Sequence, residues 1–149
     1  MICNLILCIR RGNAPSDLER GGKVLELAKQ YMNEKGPRVV GIDLVGNERG
    51  NEAKVFKDVF LEAKEAGLGT TIHAGESTYQ GSIRQALWKC QVDRIGHGTT
   101  LKKDSSAYNY MRDTNIGIEY CPTANTHFAI KYNEDTKTYE PIKNIKNHN

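Results

Sequence analysis

A chain of 149 residues with 38% hydrophobic content is long enough for one globular domain, which would bury roughly 70% of the surface its unfolded form exposes. Its formal charge of +3 is small and lacks the clustered basic face that nucleic-acid binding requires, so no nucleic-acid partner is expected. Cys3, Cys8, Cys90 and Cys121 show no Cys-x-x-Cys spacing, and a strand through Cys3 and Cys8 would turn them to opposite faces. That usage suits a reduced, cytoplasmic compartment.

The opening MICNLILCI has neither a basic lead nor a small-residue cleavage site, and it is too short to cross a membrane. It reads as a strand covered on both faces. The chain thus opens inside a strand with no cap or turn before it, which points to residues missing upstream. RRGNAPSD supplies a turn, and a helix follows with Leu25, Ala28, Tyr31 and Met32 on one face. Gly21 and Gly22 weaken its first turn, so the secure part starts near Lys23. Gly36 and Pro37 stop it.

Residues 38–45, RVVGIDLV, form the second strand, followed by the loop Gly46-Asn47-Glu48. Residues 51–66 return to helical spacing with Val55, Phe56, Val59, Ala63 and Ala66, and Gly67 ends that helix. Strands are then expected at 68–73, 92–96 and 116–120, with helices at 79–89 and 105–114. After Cys121 the pattern decays to Phe128, Ile130, Ile142 and Ile145 among polar residues, with one short helix near the end.

Strand and helix alternating in this way predict right-handed crossovers and a parallel sheet, an α/β chain. A doubly wound open sheet would be complete with five strands, whereas a (β/α)₈ barrel needs eight and about 250 residues, so length favours the open sheet. No Gly-x-Gly-x-x-Gly turn or P-loop follows any strand, which removes the usual dinucleotide and phosphate readings.

In either architecture ligands bind at the carboxyl ends of the strands. Here the second strand ends in GIDLVGNE, the third in HAGE, the fourth in RIGHG and the fifth in EYCPTAN. Each cluster alone has an ordinary explanation. His73 suits a satisfied core histidine, and Glu76 suits the positive end of the following helix. Asp43 can bond a neighbouring backbone amide as readily as serve catalysis. Gly46 serves a tight turn or lets a ligand approach the backbone. Glu119 and Cys121 fit structural roles, an inward carboxylate orienting its neighbours and a small buried thiol before Pro122. His97 is less ordinary, because glycines on both sides strip its imidazole of cover.

Together the clusters change meaning. Two imidazoles and a carboxylate on adjacent parallel strands, about 5 Å apart per strand step, converge on one pocket mouth. Metal-assisted hydrolysis uses such a set: a histidine ligand, a carboxylic acid to deliver a proton, and a second histidine to handle the attacking water.

The four motifs, in this order and at these strand ends, resemble the adenosine deaminase family of zinc-dependent barrel hydrolases, over residues 5–125. The resemblance reverses the length argument and implies a segment of a (β/α)₈ TIM barrel. It would hold about five β-α units and lack the first strands and the last. Residues 1–149 would form one partial domain, with 126–149 a loop and the start of a helix. The implied reaction replaces the 6-amino group of adenosine with a hydroxyl, giving inosine and ammonia. By the same resemblance His73 is a Zn²⁺ ligand, Glu76 protonates purine N1, and His97 orients the attacking water. The backbone of Gly46 holds the base, with Asp43 also on the substrate side.

Departures are equally informative. The family supplies further zinc ligands from a His-x-His pair on its first strand and an Asp-Asp pair on its last; neither occurs in this sequence. Ala124 stands where the family often has serine, and Glu140 where histidine often precedes the proline. The 149-residue chain alone is therefore expected neither to bind zinc tightly nor to turn over adenosine. An adenine or AMP deaminase relative shares the motifs, and a non-catalytic barrel-derived binding module is the reading from another class.

Overall fold

Successive side chains along a strand point to opposite faces of the sheet. The computed structural model describes residues 3–36, 38–76, 81–127, 130–133 and 138–141. The chain divides into two units, residues 1–119 and 120–149. In the first, β1 (Leu5–Arg10), α1 (Pro15–Tyr31), β2 (Val39–Val45), α2 (Lys57–Glu65) and β3 (Gly69–Ala74) lead to α3 (Gly81–Trp88), β4 (Arg94–His97), α4 (Ser105–Thr114) and β5 (Gly117–Glu119).

All neighbouring strands pair in parallel, in the order β1-β2-β3-β4-β5. Sequence neighbours are spatial neighbours throughout. A doubly wound sheet reverses direction at a switch point, whereas a barrel segment does not.

Register lays Ile9 beside Leu44, Leu44 beside Ile72, and Ile72 beside Ile95. All four are buried, in one cluster with Leu25 and Ala28 of α1, Phe60 and Ala63 of α2, Ile83 and Leu87 of α3, and Ala107 and Met111 of α4. At about 1.5–3 kcal/mol for each large aliphatic or aromatic side chain removed from water, this helix-covered face drives folding. The opposite face carries Cys8, Asp43, Thr71 and Arg94 side by side. Its polar character follows from the same two-residue period.

Several expectations are corrected. The first strand is not covered on both faces. Leu5, Ile6 and Cys8 are exposed and only Ile9 is buried, because β1 is an edge strand paired only with β2 among the described residues. Helix α1 begins at Pro15, eight residues before Lys23. Proline at the first turn costs no hydrogen bond there, and the Ala14 amide donates to Asp17 Oδ2 at 3.1 Å. Gly21 is buried, and a Cβ on it would stand 3.2 Å from the Phe56 ring. The residue that lowers helix propensity thus permits close packing.

The third correction concerns 51–66, which splits into a 3₁₀ turn (Ala53–Phe56) and α2. Elsewhere, α4 spans the residues expected of it, with Asp104 accepting from the Ala107 amide at its start and Asn115 at φ 55° ending it. The second unit holds α5 (Pro122–His127) and an antiparallel pair, β6 (Ile130–Asn133) and β7 (Thr138–Pro141). Neither was expected, and Cys121 is half-buried rather than buried. The short helix expected near the end lies outside the described residues. Among those described, no helix is long and apolar enough to cross a membrane.

Two predictions follow from packing at the strand ends. Gly96 lies opposite His73, and a Cβ there would come within 2.8 Å of His73 Cδ2 and 3.2 Å of its Cα. Gly96→Ala should destabilise the chain by about 1–3 kcal/mol through overpacking and move the His73 ring resonances; unmoved resonances would contradict the contact. At the other end of β4, burial pushes the Asp93 carboxyl up, but hydrogen bonds from Lys64 and from the Thr70 amide and hydroxyl outweigh it and hold the carboxyl below 3.8. A depressed carboxylate stabilises the fold above its unfolded pKa and loses that contribution as pH falls through the folded one. The stability gap between wild type and Asp93→Asn should therefore shrink on acidification below 3.8. A constant gap across that range would argue against it.

Candidate metal and catalytic site

The carboxyl ends of β3 and β4 meet because their register is parallel: His73 pairs with Gly96, and Ala74 with His97. By strand alternation His73 belongs to the polar face. His97 leaves that alternation, since its φ is 68° and that of Gly98 is 62°. A left-handed backbone is uncommon for a residue with a side chain and often marks a functional position. Here the turn brings the two imidazoles into edge contact, with ring centroids 4.9 Å apart and planes at 81°.

Glu76 closes the group. His97 Nε2 lies 3.7 Å from Glu76 Oε2, and one donor atom each from His73, Glu76 and His97 falls within 4.8 Å of the others. His97 is buried despite its flanking glycines, His73 is half-buried, and Glu76 is exposed. The predicted catalytic and metal residues are therefore neighbours in space.

Asp43 stands against His73, with its Oδ2 3.1 Å from Nε2. It pairs with the imidazole and not with the backbone amide considered from sequence. That contact raises the His73 pKa above 6.5, against burial, which lowers it. The other oxygen, Asp43 Oδ1, is buried without a hydrogen-bond partner among the described residues. Gly46 follows β2 with φ 105°, and the nearest atom to a Cβ built on it is Arg11 Cγ at 3.5 Å. There is room for a side chain at 46, so it is the backbone conformation that calls for glycine. Glu119 accepts from Thr71 Oγ1 at 2.9 Å and Arg94 Nε at 2.8 Å, as expected of a carboxylate that orients its neighbours.

The donor set fits a divalent ion of the zinc type. Imidazole nitrogens and a carboxylate are its usual ligands, they converge from two strands, and the orphaned Asp43 Oδ1 leaves buried acceptor capacity beside them. His73 would hold the ion, with Asp43 orienting the ring as outer-shell carboxylates do.

Sequence alone assigns no role to two further residues. Arg11, just past β1, is buried and donates from Nη2 to the His73 carbonyl at 2.5 Å. Burial lowers its pKa, while Glu48 and Asp43 raise it. Glu48, also buried, accepts from the Gly75 amide at 3.0 Å and the Glu76 amide at 2.8 Å. The one signal in the sequence is a glutamate two residues past the glycine that follows a strand.

The family model described as adenosine deaminase matches residues 2–149. An adenosine deaminase of Clostridium perfringens is 38% identical over 134 residues, covering 88% of this chain and 38% of that protein. The chain thus spans under half the length of the curated relatives it matches. Among solved structures, the adenine deaminase of Arthrobacter aurescens superposes with a TM-score of 0.69 at 28% identity, over 82% of this chain and 35% of that one. Arabidopsis ADAL complexed with IMP gives 0.69 at 30% identity, over 82% and 33%. With the family model matching residues 2–149, the chain belongs to the adenosine deaminase family.

Proposed function

We propose that this chain carries one part of a site that deaminates a purine by zinc-assisted hydrolysis, converting adenosine and water to inosine and ammonia. The observation that carries the reading is the convergence of His73, Glu76 and His97 at adjacent strand ends. Zinc, when bound, acts as a Lewis acid that makes water nucleophilic near neutral pH.

His73 serves as a metal ligand, kept in orientation by Asp43. Glu76 delivers a proton to purine N1 as the water oxygen attacks C6, since the electron pair displaced from the ring accumulates on that nitrogen. His97, within reach of Glu76, orients the attacking water and receives its proton. The amino group then takes the proton held by His97 and leaves C6 as ammonia with the C–N electron pair, while the new C6 hydroxyl returns a proton to Glu76 and becomes the carbonyl of the product. The backbone at Gly46, left open by the missing side chain, is where the base is held, with Asp43 near the same face.

Residues 1–149 make up a partial barrel domain in this reading, and the isolated chain neither binds zinc tightly nor turns over adenosine. The motif set holds one family zinc ligand, and a tetrahedral ion takes four donors. A second reading, an adenine or AMP deaminase relative, draws support from neighbours named adenine deaminase and ADAL complexed with IMP.

A chimera tests the assignment. This chain would replace the matching stretch of the Clostridium perfringens relative, and conversion of adenosine, adenine and AMP would be followed by ultraviolet absorbance. The chimera should deaminate at least one of them, and Glu76→Gln should lower turnover about 10²–10⁴-fold, the usual worth of a positioned proton donor. A folded, zinc-loaded chimera with no deamination would overturn the reading. Measurable turnover by the metal-loaded 149-residue chain would overturn the claim that it needs complementing.

A further inference from the structure

The segment His73–Glu76 carries both the candidate ligand and the candidate proton donor, and its backbone is held from three sides. Arg11 binds the His73 carbonyl. The Gly98 amide donates to the Ala74 carbonyl at 3.0 Å, and the Thr100 amide to that of Gly75 at 3.2 Å, with the Thr99 hydroxyl on the same oxygen. Glu48 takes the two amides, one on each carboxylate oxygen. Gly75 has φ 76°, so its amide and that of Glu76 point together, the arrangement of successive N–H groups that makes an anion-binding nest.

We propose that Glu48 is a positioning residue for Glu76: its buried carboxylate fills this nest and thereby fixes the direction in which the Glu76 side chain leaves the backbone. An empty nest at that place would attract the Glu76 carboxylate itself, which would draw the proton donor away from His97. A carboxylate supplied by the chain occupies the nest permanently. It is itself braced. Arg11 raises no clash of charge beside it, being its electrostatic partner, and the loop is pinned where the Asn51 amide donates to the Glu48 carbonyl at 3.2 Å and Asn51 Nδ2 to the Asn47 carbonyl at 3.0 Å. Two hydrogen bonds to an ionised acceptor are each stronger than a neutral pair, and they come from a loop that follows a different strand. Glu48 therefore ties the end of β2 to the end of β3 at the residue whose direction matters.

The inference rests on Glu76 being the proton donor proposed above, but its test reads geometry and not turnover. In the 149-residue chain labelled with ¹⁵N, hydrogen exchange would be measured at Gly75 and Glu76, together with the His97 ring resonances. Glu48→Ala should speed exchange at both amides at least tenfold, while strand amides of β2 and β3 keep their protection. Glu48→Gln preserves shape but offers one acceptor oxygen, so it should free one of the two amides; it also carries the test if Glu48→Ala does not fold. The decisive readout is a cycle with Glu76→Gln. That substitution should move the His97 resonances in the wild-type chain, and move them less than half as far when Glu48 is also replaced. Equal displacement in both backgrounds, no displacement in the wild type, or unchanged exchange at the two amides would each overturn the proposal. A chimera that fails to deaminate would remove the chemical role of Glu76 and leave these outcomes intact, so the two failures are distinguishable.

Discussion

Parallel pairing of β3 with β4 is the constraint from which the site follows. It sets His73 beside Gly96 and Ala74 beside His97, so that both imidazoles reach the same edge of the sheet. A shift of one residue would send His73 to the helix-covered face. Several residue choices serve this register. Gly96 leaves space for the His73 ring, the left-handed turn at His97 brings its imidazole back toward β3, and the row Ile9, Leu44, Ile72 and Ile95 anchors the strands against their helices. The polar edge is positioned by the apolar face behind it.

Electrostatics at that edge are arranged in layers. Closest in, the imidazoles face a carboxylate each, His73 with Asp43 and His97 with Glu76. Behind them, Arg11 and Glu48 are buried and bind backbone groups of the His73–Glu76 segment from opposite ends. A charge buried without hydrogen bonds would be costly, and these two satisfy main-chain atoms of the site. Among the described residues Arg11 Nε and Asp43 Oδ1 are the exceptions in these layers, each buried without a hydrogen-bond partner. Asp43 Oδ1 lies next to the proposed metal ligand, where an ion, or water held by one, would give it a partner.

Much of this was legible in the sequence, for identifiable reasons. The helix expected at 105–114 matches α4 from end to end, and the structure shows Asp104 and Asn115 bounding it by local contacts. The strand ends were legible because chemistry-bearing residues cluster where apolar runs stop. The start of α1 was not, since the buried contact of Gly21 with Phe56 is a tertiary reason for a residue that local propensity disfavours. Exposure of β1 was hidden for a related cause: an apolar strand at a sheet edge reads like one in the middle. Arg11 and Glu48 were invisible as site residues because their partners lie 62 and 27 to 28 positions away. Nothing in the spacing of a turn reports such contacts.

The central claim is that His73, Glu76 and His97 form one metal-assisted centre, of which this chain supplies part. Zinc-edge X-ray absorption on the zinc-loaded chimera, in which the rest of the barrel complements this chain, tests it most directly. The account predicts imidazole scattering at about 2.0–2.1 Å that falls when His73 is replaced by alanine and is unaffected by replacing His127 or His148, the other histidines in the sequence. A spectrum with oxygen neighbours alone, or imidazole scattering that survives His73→Ala undiminished, would contradict it.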